Sequence, residues 1–192
     1  MPYGEGVAEE KTAGRPLGAT GTTVRKNIRR IRNDLSVSLP ELSSRLKRFD
    51  RPIPPLGISR IESGQRRVDV DDLMAFAAAL GVSPATLLMP AVKDDDSDVE
   101  VDDLVSITGW QKPITAGVVW GWITAGSPPV HGTLPSFAQH AWPVWIRKSF
   151  EAVIAEAAAA MAQSQMQPDV QEGIAQVVRE FYRGGQVPVG DD

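Results

Sequence analysis

The chain has no cysteine, which excludes disulfide bridges and thiolate metal sites. It has two histidines, His131 and His140, too few for a structural zinc site without cysteine partners. No apolar run reaches the length of about 18 residues that a membrane-spanning helix needs, so no membrane partner is expected. The opening segment, MPYGEGVAEEKTAGRPLGATG, lacks the hydrophobic core of a secretory signal. Its glycines and mixed charge predict a flexible arm over 1–21. No spacing unites a nucleophile, a base and an orienting group, and no phosphate loop or metal set occurs. The residues therefore predict no catalytic site, no metal and no cofactor, and the chain is expected not to be an enzyme. A cytoplasmic location fits the absence of cysteine.

What is present is charge, unevenly placed. Twelve of the twenty Lys and Arg residues lie between Arg25 and Arg67, against four carboxylates there: Asp34, Glu41, Asp50 and Glu62. Residues 22–67 thus carry +8 inside a chain of net charge −4. A concentrated basic module in an otherwise acidic chain is the electrostatic footprint of a polyanion binder, most often of duplex DNA. The hydrophobic content of 42% over 192 residues is enough for one large domain or two small ones.

Apolar periodicity predicts helices through the basic region. Val24, Ile28, Ile31 and Leu35 form one stripe of a first helix that Thr22 or Thr23 caps, with Arg25, Lys26, Arg29, Arg30 and Arg32 on its other faces. Ser38-Leu39-Pro40-Glu41 is a capping box opening a second helix, whose buried side is Leu39, Leu42, Leu46 and Phe49. A proline-rich turn, Asp50 to Pro54, leads to a short third helix anchored by Ile58 and Ile61 and ended by Gly64. Asp69 caps a fourth, with Asp71 and Asp72 in its first turn, Leu73, Phe76, Ala77 and Leu80 facing inward, and Gly81 stopping it. Ser83-Pro84 starts a brief fifth helix whose Leu87 and Leu88 close the core.

Residues 93–103 hold seven carboxylates in eleven positions, the pattern of a solvated linker, placed at 91–103. Beyond it, Leu104 to Ile107 suits a short strand and Thr115 caps a helix to Thr124. Gly126 to Pro129 is a loop. Pro143 begins a longer helix with Trp145 or Ile146, Phe150, Val153 or Ile154, Ala157 and Met161 inward. Asp169 caps a last helix carrying Val170, Ile174, Val177, Val178 and Phe181, and the two form an antiparallel hairpin. Trp110, Trp120, Trp122, Trp142 and Trp145 are expected in the core. The fold class is mainly α: a five-helix DNA-binding domain over 22–90, then a mostly helical domain over 104–184 and a loose tail over 185–192.

Residues 22–90 resemble the lambda-repressor-like (Cro-type, XRE) helix-turn-helix domain. The resemblance rests on Ser38-Leu39-Pro40-Glu41-Leu42, on Ile58-Ser59-Arg60-Ile61-Glu62-Ser63-Gly64, and on Leu80-Gly81-Val82-Ser83-Pro84, in the family's order and spacing. It implies that the third helix enters the major groove, where each base pair shows a distinct donor and acceptor pattern. The face carried over to base reading is Pro55, Leu56, Gly57, Ser59 and Arg60. Arg60 is suited to guanine O6 and N7, Ser59 to a less selective bond, and Leu56 to a thymine methyl. Gln65, Arg66 and Arg67, with Lys47, Arg48, Arg51 and Arg29, are candidates for phosphate, which positions without reading sequence. Glu62 is expected to hold backbone amides or a neighbouring arginine. The turn from Phe49 to Pro54 is longer and richer in proline than the family's compact version. Pro55 and Gly57 stand where relatives carry long polar side chains. Both imply fewer direct base contacts and more reading of DNA shape.

The pairing of this helix-turn-helix with an acidic linker and a second, mostly helical domain resembles immunity repressors of actinobacterial phages, particularly mycobacteriophages, and also regulators of Streptomyces-type genomes. The C-terminal part of the likeness rests on Trp110-Gln111 and Trp120-Gly121-Trp122. The phage resemblance implies a lysogeny-maintaining repressor that occupies an asymmetric operator as a monomer, a homodimer on a palindrome being the alternative. It also implies a second DNA contact, for which Arg147, Lys148, Lys112 and His140 are the candidates. No Ser-Lys self-cleavage signature is evident. The bland alternatives are a merely solvated basic face on the first helix, Arg60 as a structural partner of Glu62, and Arg147 and Lys148 as ordinary surface charges. The competing function is a host XRE-type regulator or an antitoxin, with Val170, Ile174, Val177 and Phe181 as an exposed stripe for a partner protein or a second copy.

Overall fold

The computed structural model describes residues 16–93, 97–129 and 134–163. Two compact units emerge. The first holds α1 (Ala19–Asp34), α2 (Leu39–Arg48), α3 (Pro55–Glu62) and α4 (Val70–Leu80), joined by the distant segment Ile107–Gly109. The second holds α5 (Pro84–Leu88), β1 (Leu104–Val105), β2 (Ile114–Thr115), α6 (Ala116–Ile123), α7 (Leu134–Ala141) and α8 (Val144–Gln163).

In the first unit the helices start and stop where local chemistry requires. Ser38 Oγ accepts from the Glu41 amide, and Asp69 Oδ1 accepts from the Asp72 amide at 2.7 Å, so both predicted N-caps form. All four helices end in the same device. A residue just past the last turn takes positive φ, and its amide and the next residue's amide reach back to carbonyls of that turn. At Gly64 (φ 81°) and Gly81 (φ 72°) glycine adopts this geometry without strain. Ser36 and Asp50, both at φ 55°, carry it at the ends of α1 and α2. Behind Asp50, the Arg51 amide donates to Leu46 O at 3.1 Å and the Asp50 amide to Lys47 O at 3.2 Å. The proline-rich turn is thus a tight helix stop followed by an extended run, not a loose loop. Ser43 Oγ fastens that run to α2 by donating to Ile53 O at 2.7 Å.

Ile28, Leu42, Leu46, Ile58, Ile61 and Phe76 are fully buried, together with Val24, Ile31, Val37 and Ile53. Each such side chain contributes roughly 1.5–3 kcal/mol by leaving water. Four predicted core residues of this unit are not buried, Leu39 and Leu73 being half-buried. Leu35 and Phe49 are about half exposed, because each is the C-terminal cap of its helix, where the chain turns away from the buried stripe. Helix α1 also starts earlier than expected, at Ala19, with Gly18 rather than Thr22 or Thr23 before its first turn. The predicted arm over 1–21 therefore overlaps the helix, and its residues before Pro16 lie outside the described residues. Gly18 offers no side-chain cap. A hydroxyl from far along the chain supplies one: Thr108 Oγ1 accepts from the Thr20 amide at 3.2 Å, and the Thr108 amide donates to Thr20 Oγ1 at 2.9 Å.

In the second unit, Ser83 caps α5 as predicted, accepting from the Thr86 amide at 3.1 Å. This helix packs on α6 and is grouped with it, whereas the sequence pattern attached it to the first four helices. The described residues of the predicted linker fold back on themselves. Val92 bridges Asp98, the Val99 amide donates to Ala91 O, and Lys93 pairs with Asp103 at 2.8 Å. Strands β1 and β2 pair antiparallel, Leu104 opposite Thr115 and Val105 opposite Ile114. Ala116 and Val119 bury the inner face of α6.

Helix α7 was not expected from the pattern. No side chain in the described part of α8 is fully buried. Phe150 and Ile154 of the expected inward stripe are half-buried, whereas Trp145, Ile146 and Val153 are exposed. Ala157 and Met161 have side chains outside the described residues, as does the whole predicted helix from Asp169. The tryptophans are not fully buried either. Trp110 and Trp122 meet edge to face at 4.6 Å, Trp142 meets Phe150 at 5.4 Å, and Trp145 is 71% exposed. Indoles keep a polar edge and favour such half-wet positions. No described helix is long and apolar enough to cross a membrane.

Candidate nucleic-acid interface

The site begins with which side of α3 is buried. Gly57, Ile58, Ile61 and Glu62 face the core, leaving Pro55, Leu56, Ser59 and Arg60 exposed. Four of the five predicted base readers thus share one open face. Gly57 does not. A Cβ there would sit 3.0 Å from Ile53 Cγ2 and 3.3 Å from Arg66 Nη1, so glycine serves close packing rather than an edge to a ligand. Leu56 is 62% exposed, an apolar side chain held in water on a face otherwise polar.

The cations divide into two groups. Arg29 of α1, Lys47 and Arg48 at the end of α2, and Arg60 of α3 are exposed and make no side-chain hydrogen bond or ion pair among the described residues. Arg60 is therefore not a structural partner of Glu62. Gln65 is exposed beyond α3. The other predicted phosphate contacts are committed elsewhere. Arg51 Nε donates to Asp72 Oδ1 at 2.7 Å, and its Nη2 to Asp69 Oδ2 at 2.6 Å. Arg66 Nη2 donates to Asp72 Oδ2 at 2.9 Å. Arg67 Nη2 donates to Pro16 O at 2.8 Å. Arg51 and Arg66 thus hold the fold around α3, which their positions flanking a basic helix disguise in the sequence.

Three positions of this scaffold carry no signal of their role in the pattern. Arg32 meets Glu62 through two parallel bonds, Nε to Oε1 at 2.7 Å and Nη2 to Oε2 at 2.9 Å, the fork geometry that guanidinium and carboxylate share. This bond raises the Arg32 pKa still further above its ordinary value. Glu62 accordingly holds a neighbouring arginine, one of the two roles expected of it. Arg25 Nη1 donates to Glu62 O at 3.1 Å, satisfying a carbonyl at the end of α3. Asp72, expected only to complement the α4 dipole, is 1% exposed and accepts from two arginines. Its amide, the first cause, and the charge of Arg51 hold the Asp69 carboxyl below the usual carboxylate range. Arg51 in turn is raised, first by its bond to Asp72.

The candidates for a second DNA contact lie in the second unit. Lys112 and Lys148 are exposed. His140 is exposed on α7, with Nδ1 3.0 Å from Ser136 O. Arg147 is half-buried beside Gln139, Trp142 and Glu151, in a pocket between α7 and α8. His131 lies outside the described residues. No group of three or more His, Cys, Asp or Glu residues is placed to hold a metal among the described residues.

Residues 28–87, from α1 through α5, match the helix-turn-helix family, of the XRE type. The match covers less than half of the chain and supports a DNA-binding transcription regulator acting on double-stranded DNA. No curated protein and no solved structure matches the chain.

Proposed function

We propose that this protein is a sequence-specific repressor of transcription that reads its operator with the exposed face of α3. The observation that carries the reading is the division of the cations. Arg60 stands free on that face, with Arg29, Lys47 and Arg48 also unpaired among the described residues. Arg32, Arg51 and Arg66 are spent on internal carboxylates. Four free cations on three successive helices suit a phosphate-lined groove. One fork in the last turn of the short helix suits a guanine edge. Pro55 and Leu56 add an apolar lip that fits a thymine methyl or a deformed step better than a polar edge.

The finer reading is a phage immunity repressor binding one asymmetric operator as a monomer in the cytoplasm, aided by Lys112, His140, Arg147 and Lys148. It is supported by the resemblance of Trp110-Gln111 and Trp120-Gly121-Trp122, and by the exposure of Lys112, His140 and Lys148. A second reading, a regulator whose α8 docks a protein partner, is favoured by the exposed Val144, Trp145, Ile146 and Val153.

Selection of bound duplexes from a random pool tests the proposal. The recovered consensus should be asymmetric. The logarithm of affinity should fall with the logarithm of salt by about 0.9 per phosphate neutralised. Arg60→Ala should cost about 1–3 kcal/mol and relax one base pair of the consensus, while Arg48→Ala should weaken all duplexes alike. A wild-type protein without preference among duplexes ends the proposal.

A further inference from the structure

Asp72 is the only carboxylate in the first unit's described residues that two arginines from opposite sides of α3 share. Arg51 precedes α3, in the turn after α2. Arg66 follows α3, just past the stop at Gly64. Asp72 itself stands in the first turn of α4, fixed by the Asp69 cap, and is 1% exposed. One buried carboxylate therefore ties the chain entering α3 and the chain leaving it to one rigid point.

Gly57 completes the arrangement. The Arg66 guanidinium lies where a Cβ of residue 57 would approach Nη1 to 3.3 Å. The absence of a side chain there lets Arg66 cross the inner side of α3 to reach Asp72. The backbone bonds at both ends have the same effect: Arg51 N to Leu46 O at 3.1 Å, and Arg66 N to Arg60 O at 3.0 Å.

We propose that Asp72 is the positioning residue of the DNA-reading helix: by holding Arg51 and Arg66 it sets the pose of α3 and withholds Arg66 from phosphate. This rests on the reading of α3 as the base-reading element and deepens it. Two consequences separate the clamp from a general support. Releasing it should loosen α3, so that operator and unrelated duplexes become harder to tell apart. It should also free Arg66 for phosphate, while Asp69 keeps its own bond to Arg51 at 2.6 Å, steepening the salt dependence by up to about 0.9 in log–log slope, the worth of one phosphate gained. A residue that merely stabilises the fold would lower both affinities in proportion and leave the slope alone.

The test uses the full chain, the duplex recovered by selection with the wild-type protein, and a scrambled duplex of equal composition. Asp72→Asn should lower the ratio of operator to scrambled affinity by about tenfold or more and steepen the salt slope. Arg51→Gln and Arg66→Gln each break one arm of the clamp without leaving a buried carboxylate bare. Each should lower the same ratio without steepening the slope, because the freed cation is gone. These two variants carry the test if Asp72→Asn does not fold at the temperature of measurement. A ratio within twofold of wild type in both arginine variants overturns the clamp, as does a folded Asp72→Asn protein whose ratio and slope are unchanged. A wild-type protein that shows no operator preference instead sinks the base-reading assignment itself, so the two failures are distinct.

Discussion

The first and second units use large side chains in opposite ways. In the first, Phe76 is fully buried, and the residues that look dispensable on the surface, Arg32, Arg51 and Arg66, are bound to carboxylates. In the second, no described residue of α8 is fully buried, Arg147, Phe150 and Ile154 are half-buried, and Trp145 stands 71% exposed. One unit closes on itself and leaves a few cations free. The other leaves apolar surface open. Charge in the first unit is therefore the better guide to function, because what remains unpaired there has no structural duty.

The largest test of this contrast is a pair of substitutions. Phe76→Ala should cost about 3–5 kcal/mol through a cavity in a core of fixed neighbours. Trp145→Ser should change stability by no more than about 0.5 kcal/mol, as exposed positions do. Urea unfolding of the full chain measures both, and a large loss at Trp145 would show that α8 is buried by something beyond the described residues.

A smaller effect bears on where the first unit ends. Thr108→Val removes the hydroxyl that caps α1 and should cost about 1 kcal/mol, the usual worth of a helix cap. Hydrogen exchange at the Thr20 amide should quicken. Unchanged exchange would detach Ile107–Gly109 from the first unit.

The smallest effect is a dependence on acid. The Asp69 carboxyl is held below its ordinary value, so it binds protons less readily folded than unfolded. Its contribution is complete above the unfolded value of about 3.9 and disappears as pH falls through the lower folded one. Asp69→Asn keeps a capping side chain but not the charge. The stability gap between wild type and variant should stay constant from neutral pH down to about 5 and narrow below about 4. A gap that widens in acid would contradict the assignment.

Much of the first unit was legible because its signals are local. Ser38, Asp69 and Ser83 cap helices by bonds to amides three residues on. Gly64 and Gly81 stop them through a conformation glycine favours. The open face of α3 was what the family resemblance implied, with Ile58 and Ile61 as core anchors. Arg60 is exposed on it, and Gly57 alone of the expected base readers is buried. The second region was less legible. Helix α7 spans only Leu134–Ala141 and was not read from the pattern. Around it the tryptophans sit at half-exposed positions that periodicity reads as core.

The sequence by itself determined the basic module, the caps of α2, α4 and α5 and the glycine stops, since these depend on neighbours within about one turn. Only the tertiary structure decided which arginines are free. Arg51 and Arg66 look like Arg48 and Arg60 in the chain. Their fate depends on Asp72, which lies 21 and six residues further along and is brought to them by the packing of α4. Thr108 reaches Thr20 across 88 residues in the same way. Pairing over such distances leaves no periodic trace, because a bond depends on where two groups meet in space and not on their separation along the chain.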